Sequence, residues 1–193
     1  KGHGCSGLYV TLASAGFFPK EWLETFIQDG SRFPGHPSSK MLPGIEASTG
    51  SLGHGLNIGV GMAVSAKRSH ASMRTIVMIS DGECDEGSMW EAVLSAGNWQ
   101  LGTLTCIVDY NKIQSFGRTK DIMDLEPFAE KYKAFGSKKR YSVVMFNGYK
   151  VSGADRVRLM VRKYNPKFFP FYSSYAGKGG DEREVDKRFN IFR

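Results

Sequence analysis

Apolar and polar positions change period several times along this chain, and each change marks an element. Within "PKEWLETFIQDG", Trp22, Leu23, Phe26 and Ile27 repeat at helical spacing, with Pro19 suited to the first turn and Gly30 to the close. A helix is also predicted from about Ser6 to Ala15, stopped by Gly16. Residues 31–49 carry three prolines and no sustained period, which reads as a long loop. "TGSLGHGLNIGVGMAVSAKR" opens on crowded glycines and becomes a helix of small residues. "RTIVMIS" and "TLTCIV" are short apolar runs rich in β-branched residues, the pattern of strands buried on both faces of a parallel sheet. Between them, Trp90, Val93, Leu94 and Gly97 share one face of a helix. Strand, helix and strand at this length predict a βαβ unit with a parallel, right-handed crossover, and so an α/β fold.

That unit gives meaning to two polar residues. Asp81 lies just past the carboxyl end of the first strand and Asn111 just past the end of the second. Open α/β sheets bind ligands in the crevice along that edge. A carboxylate and an amide oxygen, with a backbone carbonyl nearby, are hard ligands suited to Mg²⁺ or Ca²⁺. Magnesium often completes its shell with phosphate oxygens, so the pattern predicts a metal-held diphosphate. The same Asp81 could instead serve only as the N-cap of the helix that follows.

Bulk properties narrow the class. A chain of 193 residues, 41% hydrophobic and 12% aromatic, has the material for one globular domain with a sizeable core. No apolar run approaches the roughly 18 residues of a membrane span, and no signal-peptide pattern opens the sequence. Cys5, Cys84 and Cys106 lie far apart without metal-binding spacing, which points to a reducing, cytoplasmic compartment. The net charge of +7 is unevenly placed: residues 1–136 hold 12 Lys and Arg against 14 Asp and Glu, whereas residues 137–193 hold 14 against 5. That last segment also holds 11 of the 21 Phe and Tyr residues. Basic and aromatic residues together could bind single-stranded nucleic acid by charge and stacking, but no binding motif organises them. Divergence or a shifted reading frame is the favoured account, and nucleic acid is disfavoured as a partner.

The order of blocks is more specific than any of these features. "KGHG", "FIQDGSRFPGHP", "EASTGSLGHGLNIGVGMA", "SDGECDEGSMWEA", "IVDYNKIQSFG" and "DLEPFAEKYKAFG" occur in sequence over residues 1 to about 136. This series resembles the transketolase family, and Asp81-Gly82 followed about thirty residues later by Asn111 resembles its thiamine diphosphate motif. The glycine-rich "TGSLGHG" also has some likeness to the turn of short-chain dehydrogenases, but no apolar strand precedes it and no Tyr-x-x-x-Lys pair accompanies it.

The resemblance implies a parallel sheet with helices on both faces, truncated at its N-terminus, with a diphosphate-binding domain over residues 1–136. Residues 137–193 are then a degraded continuation of that domain, in which Asn147-Gly148 and Gly177-Lys178-Gly179 are the remaining traces. It implies Asp81, Asn111 and the backbone carbonyl of Ile113 as magnesium (or calcium) ligands. Gly82 and Glu83 fall beside the cofactor's diphosphate, and Gly50, Ser51 and Leu52 form the turn that meets its aminopyrimidine. His3 and His36 are implied as channel histidines meeting cofactor and sugar, and Glu86 as the acidic link to a partner's catalytic glutamate. The implied reaction moves a two-carbon glycolaldehyde unit from a ketose phosphate to an aldose phosphate. The glutamate that activates the cofactor belongs to a pyrimidine-binding domain absent from these residues, so a second subunit in a homo- or hetero-oligomer is expected. The rival expectation is a non-catalytic remnant that still binds cofactor or a partner chain. His54 and His70 read as idle, Trp22, Trp90 and Trp99 as core, and Cys84 as no nucleophile.

Overall fold

The computed structural model describes residues 1–137 and 140–146. The remnant motifs expected at Asn147-Gly148 and Gly177-Lys178-Gly179 lie outside the described residues. Helix α1 spans Cys5–Ser14, and a 3₁₀ turn spans Lys20–Thr25. Then come α2 (His54–Arg68), β1 (Thr75–Ser80), α3 (Gly87–Asn98) and β2 (Leu104–Asp109). A small hairpin of β3 (Ile113–Gln114) and β4 (Gly117–Arg118) precedes α4 (Thr119–Ile122), α5 (Phe128–Ala134) and β5 (Ser142–Phe146).

The sheet runs β1-β2-β5 and is parallel throughout. Its register pairs Thr75 with Leu104 and Ser80 with Asp109, then Thr105 with Ser142 and Asp109 with Phe146. All six residues of the central β2 are buried, as its unbroken apolar run requires. The edge strand β1 departs from the expectation of burial on both faces, because Ile76 is 55% exposed. Alternation along the strand explains the split, since Val77 and Ile79 turn toward the helices while Ile76 turns away. On the helix side, a Cβ at Gly59 of α2 would fall 2.2 Å from Val77, so only glycine lets this helix lie so close to β1. Leu56, Val60, Met89, Val93, Leu104, Cys106, Val108 and Tyr132 belong to the main core.

Three local expectations are corrected. The helix predicted through Ile27 is only the short 3₁₀ turn, because Phe26 is extended and Ile27 takes a left-handed φ of 58°. That reversal lets the Ile27 amide donate to the Phe33 carbonyl and brings Phe26 against Tyr9. On α3, Met89, Ala92, Val93, Ala96 and Gly97 are buried while Leu94 is 57% exposed, so the buried stripe is rotated from the predicted face. Among the tryptophans only Trp90 packs against the main core, whereas Trp22 and Trp99 are exposed. Trp22 instead stacks on Phe18 with the Arg32 guanidinium over its ring.

Candidate functional site

The site is built at the carboxyl ends of β1 and β2. The ladder continues one residue past β1, where the Asp81 amide donates to the Asp109 carbonyl. Asp81 thus leaves the strand at a fixed height and caps the 3₁₀ turn Gly82–Asp85, its Oδ1 accepting from the Gly82 amide at 2.9 Å. Its Oδ2 accepts from the Lys112 amide at 2.7 Å, across the crevice from the segment that follows β2. The capping and crevice-ligand readings of Asp81 are therefore compatible. The side chain is 1% exposed, and burial pushes its carboxyl above the ordinary range, against the pull of the amides of Lys112 and Gly82.

Asn111 stands opposite, half-buried, with Oδ1 accepting from the Ile113 amide at 2.9 Å. That local bond folds the chain back through Lys112, which takes a left-handed φ of 66°. Ile113 then pairs with Arg118 in the hairpin. Among the described residues no three His, Cys, Asp or Glu side chains gather as a metal cluster. The donor set expected from the sequence is of another kind: the Asp81 carboxylate, the Asn111 amide oxygen and the Ile113 carbonyl. Asp81 has spent two of its roughly four lone-pair positions on backbone amides, and Asn111 one of its two, so both retain acceptor capacity. A carboxylate held above its ordinary pKa by burial gains from a neighbouring cation. The set fits Mg²⁺ or Ca²⁺ bound with a diphosphate.

The acidic turn is anchored from within the protein. Glu83 is buried, and its carboxylate turns back onto the Ser80 amide at 3.0 Å. The Trp90 indole donates to the Cys84 carbonyl at 2.8 Å. The Cys84 thiol donates to the Ser80 carbonyl and lies 3.4 Å from the Tyr132 hydroxyl; burial raises its pKa well above the ordinary range, as suits a structural thiol rather than a nucleophile. Glu86 is exposed at the start of α3, where a Cβ at Gly53 would meet its own Cβ at 2.7 Å. The start of α2, just after the expected Gly50–Leu52 turn, therefore abuts the acidic segment.

The two expected histidines also meet. His3 and His36 lie edge to face with ring centroids 4.7 Å apart, and both are exposed. His36 is held by its loop: the Tyr9 hydroxyl donates to the Pro34 carbonyl, the Cys5 thiol to the Gly35 carbonyl, and the Thr49 amide to the Pro37 carbonyl. Gly50 completes the contact, since a Cβ there would lie 3.2 Å from His36 and one at Gly2 would lie 2.7 Å from the Gly50 amide. An open depression of about 300 Å³ adjoins this turn, lined by Ser48, Thr49, Gly50, Ser51, His54 and Ile58. His54 is thus at the rim, its Nδ1 within hydrogen-bond reach of the Leu52 carbonyl.

Several connections were not apparent from the sequence. The Lys1 ammonium pairs with Asp109 at 2.9 Å, and Gln114 Nε2 donates to Asp85 Oδ2 at 2.9 Å. Both join residues far apart in the chain, and no spacing rule links them.

A parallel α/β unit with Asp81 and Asn111 at its carboxyl edge has the layout of open α/β proteins, whose ligands bind along that edge. Comparison with known proteins names the class: residues 1–143 match the model of the transketolase, thiamine diphosphate binding domain. The chain belongs to the transketolase family and carries that domain. It is 47% identical over 136 residues to an apulose-4-phosphate transketolase subunit from Actinobacillus succinogenes, covering 70% of this chain and 49% of the relative. It is 43% identical over 136 residues to a 6-deoxy-6-sulfo-D-fructose transketolase subunit from a Clostridium species, covering 70% and 50%. Among solved structures, transketolase from Leishmania mexicana superposes with a TM-score of 0.65 at 36% identity, covering 70% of this chain and 22% of that one. Transketolase from Campylobacter jejuni gives 0.67 at 29% identity, covering 81% and 25%. The chain spans about half the length of the two curated relatives.

Proposed function

We propose that this chain is the diphosphate-binding subunit of a split transketolase, acting with a second, pyrimidine-binding subunit on sugar phosphates. The carrying observation is the bond from the Lys112 amide to Asp81 Oδ2, which draws the ends of two parallel strands into one oxygen-lined site. In this reading Asp81, Asn111 and the Ile113 carbonyl hold Mg²⁺ or Ca²⁺, and the metal neutralises the diphosphate. Gly82 leaves room for the diphosphate. Glu83 acts one step back, as the buried anchor of the turn. The backbone of Gly50, Ser51 and Leu52 faces the aminopyrimidine. Bound thiamine diphosphate supplies the electron sink for breaking a ketose carbon–carbon bond and passing on a two-carbon glycolaldehyde unit.

The protein's own part is to position groups and move protons. His3 and His36 stand together beside Gly50, and their exposed ring nitrogens can hydrogen-bond sugar hydroxyls. Glu86, exposed beside Gly53, is in this reading the acidic link to the partner's catalytic glutamate. The curated relatives named as transketolase subunits support a two-chain enzyme. No helix among the described residues is long and apolar enough to cross a membrane. The three free, buried thiols support the proposal of a reducing, cytoplasmic setting.

The test is calorimetry and a coupled ketose–aldose assay on the chain reconstituted with its partner subunit. Thiamine diphosphate should bind only with a divalent cation, and two-carbon transfer should need both chains. Equal cofactor affinity in excess chelator removes the metal-site reading; binding without transfer by any partner leaves the non-catalytic alternative.

A further inference from the structure

Ile113 contributes a carbonyl rather than a side chain to the proposed site, so its direction depends on how its neighbours are held. It lies between two residues that are each bonded across the crevice. On one side the Lys112 amide reaches Asp81 Oδ2 at 2.7 Å; on the other Gln114 Nε2 reaches Asp85 Oδ2 at 2.9 Å. The first bond uses backbone, and any residue except proline supplies it. The second needs this pair of side chains. Asp85 ends the same 3₁₀ turn that Asp81 begins, and the Trp90 indole pins that turn at Cys84. The pair therefore ties the Ile113 segment to a part of the molecule that is itself anchored. Packing is close: a Cβ at Gly82 would lie 3.3 Å from Gln114 Cβ. Asp85 Oδ1 is buried and has no hydrogen-bond partner among the described residues, so the bond from Gln114 is the principal restraint on this carboxylate.

Building on the proposed metal site, we infer that Asp85 and Gln114 are positioning residues forming a clamp that fixes the Ile113 carbonyl against Asp81 and so favours a small, strictly octahedral cation. The physical link is the difference between two ions. Mg²⁺ demands near-ideal octahedral geometry at short distance, whereas Ca²⁺ accepts six to eight oxygens at looser distances. Loosening one carbonyl penalises the first ion far more than the second.

The experiment titrates thiamine diphosphate by calorimetry into the chain reconstituted with its partner subunit, with Mg²⁺ and with Ca²⁺. Asp85→Ala and Gln114→Ala each lower Mg²⁺-supported affinity about tenfold, equivalent to about 1.4 kcal/mol. The Ca²⁺-supported affinity falls about twofold or less, so the ratio between the two ions shifts. Gln114→Glu sets two carboxylates against each other and gives the same loss. The double variant Asp85→Asn with Gln114→Glu restores donor to acceptor and recovers affinity. Independently of any ligand, amide hydrogen exchange over residues 111–118 is faster in both alanine variants. Equal losses under the two ions, unchanged exchange, or failure of the double variant to recover overturns the clamp. A reconstituted wild-type pair that binds no cofactor with either ion overturns the proposed function instead, and the exchange measurement then decides the clamp alone.

Discussion

The two halves of the described protein position chemistry in different ways. From α2 onward, the expected metal donors sit at the ends of β1 and β2, and a parallel ladder fixes their separation. Before α2, one short helix and two 3₁₀ turns, Gly2–Gly4 and Lys20–Thr25, are the regular elements, and the core is an aromatic cluster. In it Phe33 lies edge to face with both Tyr9 and Phe18, at 5.2 and 5.3 Å between ring centroids. His36 hangs from this cluster through side-chain bonds to loop carbonyls rather than through a ladder. Backbone pairing places a group rigidly and needs no particular side chain. A loop needs specific partners, and each partner can be removed. In the proposed function the diphosphate would be held by the ladder-bound half and the sugar hydroxyls by the half whose geometry side chains can retune.

The largest test of this contrast is Phe33→Ala. It empties the centre of the aromatic cluster and should cost about 3–5 kcal/mol in urea unfolding. Hydrogen exchange should localise the loss to residues before α2, and a loss spread evenly through β1 and β2 would erase the distinction between the halves.

Asp81→Ala strikes the rigid half. Cofactor affinity with Mg²⁺ should fall about a hundredfold, about 2.7 kcal/mol, because the diphosphate charge is left poorly compensated. Calorimetry in excess chelator supplies the control, since the gap between variant and wild type should then close.

His36→Ala should lower turnover about 5- to 150-fold, the equivalent of about 1–3 kcal/mol for one positioned hydrogen bond. Cofactor affinity should change much less. Steady-state kinetics of the two-chain enzyme with parallel calorimetry separates the two, and a rate loss fully explained by weaker cofactor binding would make His36 a loop residue only.

The smallest effect concerns the segment that follows the site. The Tyr110 hydroxyl donates to Glu126 Oε1 at 2.7 Å, and this bond, followed by that from the Phe128 amide, holds the Glu126 carboxyl below its ordinary 4.5. The group is exposed, so Tyr110→Phe should cost about 1 kcal/mol or less after solvent screening. A depressed folded-state pKa stabilises above the ordinary value. The difference between wild type and variant should therefore be full at neutral pH and vanish as pH falls through the lowered value. Urea midpoints at pH 7 and at about pH 3 measure it.

How far the sequence could be read follows the same division. The βαβ unit and the placement of Asp81 and Asn111 past its strand ends were legible, because burial inside a parallel sheet demands continuous apolar runs of fixed length. The Trp22–Ile27 repeat misled, because helical spacing does not reveal that Phe26 is drawn to Tyr9 and Ile27 to Phe33. Strand β5 was not predicted after Gly136, although "SVVMF" is a short apolar run. Short apolar runs do not declare their state until a neighbouring strand pairs with them.

By itself the sequence determined the α/β class, the order of elements around the crevice and the residue types offered to a ligand, since these depend on local period and on motif blocks. Only the tertiary structure decided that His3 touches His36, that Glu83 turns inward to Ser80, and that Gln114 bridges to Asp85. Each is a contact between particular side-chain atoms, made possible by the turn of a loop or the end of a strand. Such contacts depend on the full path of the chain and not on the period of any one segment.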